Sequence, residues 1–241
     1  MRALTFSSIL PNGILLVFLC ACQPFDPLTP PRLEAPEITS IALSDARLRG
    51  SWRETVRLSW KLPADSVNIR SCTLLRRTDN DSTFDVFDYS QNIPESFDTF
   101  YDDLGSIGFP TSDFFLVRYR MYALDTLGRS GDTSEICSLY LARQPEIDTI
   151  NSTKGSFQWS SRFIQGSVES YLSVWNAGQT VRFSSVPREE FGSWDYPVHF
   201  SATLPDSLCP LPQGTWYYAL YLTAMGIDRQ SLKVDSINVP E

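Results

Sequence analysis

Alternation of apolar and polar residues is the dominant signal along this chain. Val56, Leu58, Trp60 and Leu62 alternate with Arg57, Ser59 and Lys61, and Phe157 and Trp159 alternate with Ser156, Gln158 and Ser160. A two-residue period sends one side of an extended segment into a core and leaves the other in water. Longer series follow. Phe115, Val117, Tyr119, Met121 and Ala123 make one face of a predicted strand whose other face carries Arg118 and Arg120, with a turn predicted at Asp125 to Gly128. Tyr218, Leu220, Leu222 and Ala224 repeat the pattern, with a turn predicted at Gly226. No stretch after Cys22 sustains a helical period.

The pattern occurs twice. Pro36-Glu37-Ile38-Thr39-Ser40-Ile41 returns as Pro145-Glu146-Ile147-Asp148-Thr149-Ile150, and each copy precedes a β-type series ending in Trp. Short strands separated by turn signals, over about 100 residues per copy, predict an all-β chain of two tandem sandwiches. Their expected spans are residues 36–143 and 144–241.

The first residues read differently. Arg2 precedes an uninterrupted apolar run from Ile14 to Ala21, after a break at Pro11-Asn12-Gly13. The run falls well below the roughly 18 residues a membrane-spanning helix needs and has the size of a signal-peptide core. Leu19-Cys20-Ala21-Cys22 resembles the lipobox of bacterial lipoproteins, with Cys20 where Ala, Ser or Thr is more usual. The resemblance implies a signal peptide over residues 1–21 and lipid on Cys22, so that the chain is membrane-anchored rather than membrane-spanning. Gln23, rather than Asp, follows the Cys. By analogy with enterobacterial sorting, that favours the outer membrane of the cell envelope. Residues 22–35 contain Pro24, Pro27, Pro30 and Pro31, with Pro36 next. Proline at this density favours an extended tether rising about 3.1 Å per residue.

The folded part resembles the fibronectin type III family, an immunoglobulin-like sandwich. Leu211-Pro212-Gln213-Gly214-Thr215-Trp216-Tyr217-Tyr218-Ala219-Leu220-Tyr221-Leu222-Thr223-Ala224 is similar to that family's approach to its sixth strand. The resemblance places Tyr218 as the corner tyrosine, whose hydroxyl bonds nearby backbone, and Trp60 and Trp159 as the core Trp of the second strand. Tyr122 to Ser130 resembles the hairpin joining the last two strands. The first copy departs from the family with Val117 at the corner position and with Phe109-Pro110 in the approach. The likeness speaks to architecture, because this fold hosts many unrelated roles.

Composition narrows the function. The net charge of −8 across 241 residues gives no electrostatic reason to bind nucleic acid. Cys72, Cys137 and Cys209 remain after processing, and an exported location suggests a disulfide. Cys72 falls on the predicted third strand and Cys137 on the seventh, with the sixth between them. Next-nearest strands lie about 9.5 Å apart, beyond the roughly 7 Å that a bridge tolerates, so no Cys72–Cys137 bond is expected. No spacing resembles a zinc site.

No residue set is expected to be catalytic, and no cofactor is implied. The one histidine, His199, lies in a strand-like segment without a Gly-x-Ser-x-Gly elbow, and neighbouring Glu189 and Glu190 point to opposite sides if extended. Thr78 to Val117 holds nine acidic residues and no Lys or Arg. Within it, Asp79, Asp81, Asp102 and Asp103 are candidate calcium ligands, weighed against a solvated acidic edge. Asp-Ser/Thr pairs at Ser66, Ser82, Thr126, Thr149, Ser207 and Ser236 resemble the O-glycosylation sequon of Bacteroidota envelopes, although turn chemistry also places Asp and Ser together. Trp52, Trp175, Trp194 and Trp216, beyond the two core Trp, could stack on sugars if exposed in one plane.

The expectation is therefore a non-enzymatic envelope lipoprotein. It acts as a binding or spacer module, attached to the membrane through its lipid and contacting an envelope protein along a sandwich edge. Glycan binding by exposed aromatics is the alternative.

Overall fold

The long alternating segments become strands because each has one apolar face to bury. The computed structural model describes residues 33–63, 69–79, 81–86, 93–94, 98–106, 114–162, 166–193, 195–224 and 229–240. The first sandwich opens with a hairpin of β1 (Glu37–Leu48) and β2 (Ser51–Lys61), to which β6 (Thr99–Asp103) adds a third strand. Its facing sheet is built on β3 (Ile69–Thr78), β7 (Phe114–Asp125) and β9 (Cys137–Ala142). Short β4 (Asp85–Val86) and β5 (Ile93–Pro94) pair with β3, and β8 (Ser130–Thr133) pairs with β7.

The second sandwich repeats this plan. A three-stranded layer of β10 (Glu146–Asn151), β11 (Ser156–Ser161) and β15 (Val198–Thr203) faces β12 (Gly166–Asn176), β16 (Gly214–Ala224) and β17 (Arg229–Val239). Short β13 (Arg182–Ser184) and β14 (Arg188–Gly192) both pair with β12.

The buried faces are those that the alternation predicts. Val56, Leu58 and Trp60 meet Val117, Tyr119 and Met121 in one core, while Phe157 and Trp159 meet Tyr218, Leu220 and Leu222 in the other. The predicted turn at Asp125 is present: the Asp125 carboxylate accepts the amides of Leu127 and Arg129, and Gly128 takes φ +78°, which a side chain would oppose. The turn predicted at Gly226 lies outside the described residues. Where the chain enters the first sandwich, Leu33 is pressed against Gly131, and a Cβ there would stand 2.6 Å from the Leu33 side chain. Asp132 N–H closes the approach on Leu33 O at 2.9 Å.

The two sandwiches share a sheet. The start of β17 pairs in parallel with β9 at Arg229–Tyr140 and Gln230–Leu141, which joins the last strands of both modules into one eleven-stranded sheet. Residues Leu33–Glu241 form one compact unit.

Candidate functional site

The junction between modules is built by one exaggerated element. In the second copy the opening hairpin has strands of six residues each, whereas β1 and β2 run to twelve and eleven. The tip closes with a two-residue loop, Arg49-Gly50, both at positive φ (51° and 86°), as tight hairpins with the native twist require. The extra length carries the hairpin past its own module onto the outer face of the second module's sheet. There Trp52 meets Trp175 edge-on, with ring centroids 5.0 Å apart, and lies 6.4 Å from Tyr217. Trp175, Ala219 and Leu232 of the second module are consequently buried in the first module's core.

Polar groups fix the same joint. Asp45, nearly inaccessible at 6% of its side chain, accepts two hydrogen bonds from Arg182 at 3.1 and 3.2 Å and one from the Tyr221 hydroxyl. Burial, and then the adjacent Asp45 carboxylate, push the Tyr221 hydroxyl's pKa well above its ordinary value. The phenol therefore stays a donor throughout the physiological range. Glu54 accepts Val234 N–H at 2.8 Å and the Gln144 amide at 3.2 Å. A buried carboxylate held by several donors is strongly position-dependent, which gives the joint one geometry.

The acidic residues singled out by sequence are dispersed. Asp102 is wholly buried between the sheets, where Arg76 donates to both its oxygens at 2.9 Å and the Tyr119 hydroxyl donates at 2.7 Å. Asp79 accepts from Leu116 N–H and Arg118, Asp81 from the Thr78 amide and hydroxyl, and Asp103 from Gly105 N–H. The Thr78 hydroxyl and then its amide hold the Asp81 carboxyl below the ordinary range. No group of three potential metal ligands gathers among the described residues. The calcium grouping of Asp79, Asp81, Asp102 and Asp103 is thereby corrected, because each carboxylate serves a different protein donor.

The tryptophan set is corrected in part. Trp175 is fully buried, and Trp216 is buried with its indole N–H donating to Pro212 O at 2.8 Å. Neither offers a face to a sugar. Trp52 is spent on the joint, and Trp194 lies outside the described residues. Of the sequon hydroxyls, Ser82, Thr126, Thr149, Ser207 and Ser236 belong to exposed residues, and Ser66 lies outside the described residues, as does Cys22.

His199 sits opposite Ser160 in the β11–β15 register, yet the order of bonds is wrong for nucleophile activation. Ser160 donates to Asp148 Oδ1 at 2.9 Å, and His199 Nδ1 lies 3.4 Å from Asp148 Oδ2. Hydroxyl and imidazole both address the carboxylate, whereas nucleophile activation needs the imidazole bonded to the hydroxyl. A cleft of about 450 Å³ opens elsewhere, beside Pro36, Ile38, Ile136 and Cys137, and holds no histidine. The expected strand order around the thiols is present, with β7 between β3 and β9, and Cys72, Cys137 and Cys209 form no disulfide. Tyr218 is buried as expected for a corner residue, but its hydroxyl meets the Asp235 side chain on the next strand. None of the described helical segments is long and apolar enough to cross a membrane.

Paired three-stranded and four-stranded layers, with the sixth strand between third and seventh, describe the fibronectin type III plan twice over. The chain carries two fibronectin type III-like sandwiches. Among solved structures it is similar to a segment of two fibronectin type III domains from chicken tenascin, at 12% identity and a TM-score of 0.29, covering 86% of this chain and 100% of that one. No protein-family model and no curated protein matches it. Sequence reasoning missed the hairpin extension. Arg49-Gly50, flanked by Leu48 and Trp52, was the available signal.

Proposed function

We propose that this chain is a non-enzymatic lipoprotein of the cell envelope whose fused sandwiches form a stiff arm for engaging another protein. The observation that carries the reading is the long β1–β2 hairpin, with Trp52 and Asp45 tying the second module to the first. Two modules joined by turns alone would swivel. A shared sheet and a buried aromatic cluster oppose that motion, which suits a spacer or a docking platform more than a flexible linker. The lipid on Cys22 and the Pro-rich tether would set this arm above the outer membrane.

The test is affinity purification of the native lipidated protein from detergent-solubilised envelopes, with Cys22→Ala as control. A stoichiometric protein partner that disappears with Cys22→Ala is the expected result. Recovery of the chain alone, or unchanged membrane attachment of Cys22→Ala, would overturn the reading.

A further inference from the structure

The shared sheet has two outer faces with opposite fates. In the second module that face presents Trp175, Tyr217, Ala219 and Tyr221, and the long hairpin of the first module packs against it. The equivalent face of the first module presents Arg77, Arg118 and Arg120 instead, and the short β10–β11 hairpin has no comparable extension. Arg77 stands directly opposite Arg118 in the β3–β7 register, and Arg120 opposes Leu75 one pleat further along. Three guanidinium groups thus gather on a chain whose net charge is −8.

Their partners are unequal. Arg118 donates to Asp79 at 3.1 Å, and Asp79 also accepts Leu116 N–H at 2.9 Å. Among the described residues, Arg77 and Arg120 have no carboxylate. Both lie against the Phe84 ring, 4.9 and 4.2 Å from its centroid, and the Nε–H of each is shut from water with no acceptor. Three like charges gathered with a single carboxylate among them carry an electrostatic cost that a further oxyanion would relieve. Asp79 shows how a carboxylate is received at this face.

We propose that the outer face of β3 and β7 docks an extended acidic segment of a partner protein, with Arg77 and Arg120 taking its carboxylates. The proposal rests on the reading of this chain as a binding module. Arg77 stands level with Arg118, two residues before Arg120, so Arg77 and Arg120 are offset by about 6.8 Å along the strands, the spacing of alternate residues in an extended peptide. A half-exposed row of guanidinium groups with this repeat matches a strand-like acidic segment better than it matches an isolated small anion. Arg fits the task because its planar fork receives a carboxylate through two parallel bonds.

The test uses the full chain and a hexaglutamate peptide in titration calorimetry at low ionic strength, with hexaglutamine and inorganic phosphate as comparison arms. Hexaglutamate should bind and hexaglutamine should not. Arg77→Gln and Arg120→Gln should each weaken binding about tenfold or more, the equivalent of one charge-assisted contact. Lys154→Gln, which removes the same charge from another exposed site, should leave affinity unchanged. Asp79→Asn releases Arg118 while keeping an oxygen for Leu116 N–H, and should tighten binding. The proposal fails if hexaglutamate does not bind, if phosphate alone binds, or if Lys154→Gln weakens binding as much as Arg120→Gln. Thermal melts verify that each variant is folded, and the pull-down reports on the binding-module reading independently.

Discussion

Trp52, on the first module's second strand, packs edge-on against Trp175 of the second module at a centroid separation of 5.0 Å and an interplanar angle of 70°. Such a geometry sets the positive edge of one ring against the negative face of the other. Arg182 adds a third member, its guanidinium carbon 5.0 Å from the Trp175 ring, while its nitrogens hold Asp45. Apolar burial and ion pairing thus meet on the same few residues.

Trp52→Ala should uncouple the modules. The truncation removes half-buried aromatic surface and opens a cavity beside Trp175, at a cost of about 2–4 kcal/mol. Guanidinium denaturation should move to a lower midpoint and separate into two transitions, one per module. A single transition at an unchanged midpoint would show that the contact contributes nothing.

Asp102→Asn leaves the Arg76 charge without its carboxylate between the sheets. Breaking one side of a buried pair costs about 3–5 kcal/mol. Calorimetric melting should show a large loss in the first module. Millimolar calcium should leave the wild-type melting temperature unmoved, because Asp102 is already engaged by protein donors.

Asp125 supplies a pH dependence. The backbone N–H of Arg129, followed by that residue's side chain and Leu127 N–H, holds the Asp125 carboxyl below its ordinary 3.8. A depressed folded-state value means that stabilisation is present above the unfolded value and is lost as pH falls through the folded one. Carboxyl NMR should place the Asp125 midpoint below that of an unstructured aspartate. Asp125→Asn should flatten the acid limb of the stability profile below about pH 4.

Cys137 should resist alkylation. Burial pushes its thiol above the ordinary range, so little thiolate exists at pH 8. Iodoacetamide followed by mass spectrometry should modify Cys137 slowly in the folded protein and rapidly in denaturant. Cys72, buried in the first core, should react only after unfolding.

Much of the architecture was legible because a two-residue period is local. Val56, Leu58 and Trp60 declare their buried side without reference to anything distant, and so do Tyr218, Leu220 and Leu222. The joint was not legible in this way. Tyr217, Ala219 and Tyr221 sit on the face that alternation assigns to water, and they are apolar because a hairpin more than 160 residues away lands on them. Trp52 and Trp175 invited a surface role for the same reason. Likewise, Asp102 lies in an acid-rich stretch of the sequence, and only the sheet pairing shows that Arg76 and Tyr119 await it inside.

The parallel pairing of β9 with β17 limits what can be added to this molecule. Equivalent edges of two similar modules meet, as in a closed two-subunit assembly, and each is consumed by the other. A head-to-tail array could lengthen indefinitely by repeating its joint; this joint terminates itself. Among the described residues the edges left at the far ends are short strands, with Pro94 and Pro187 standing where a neighbour would need amide donors. Growth into a fibre by sheet extension is thereby discouraged at both edges.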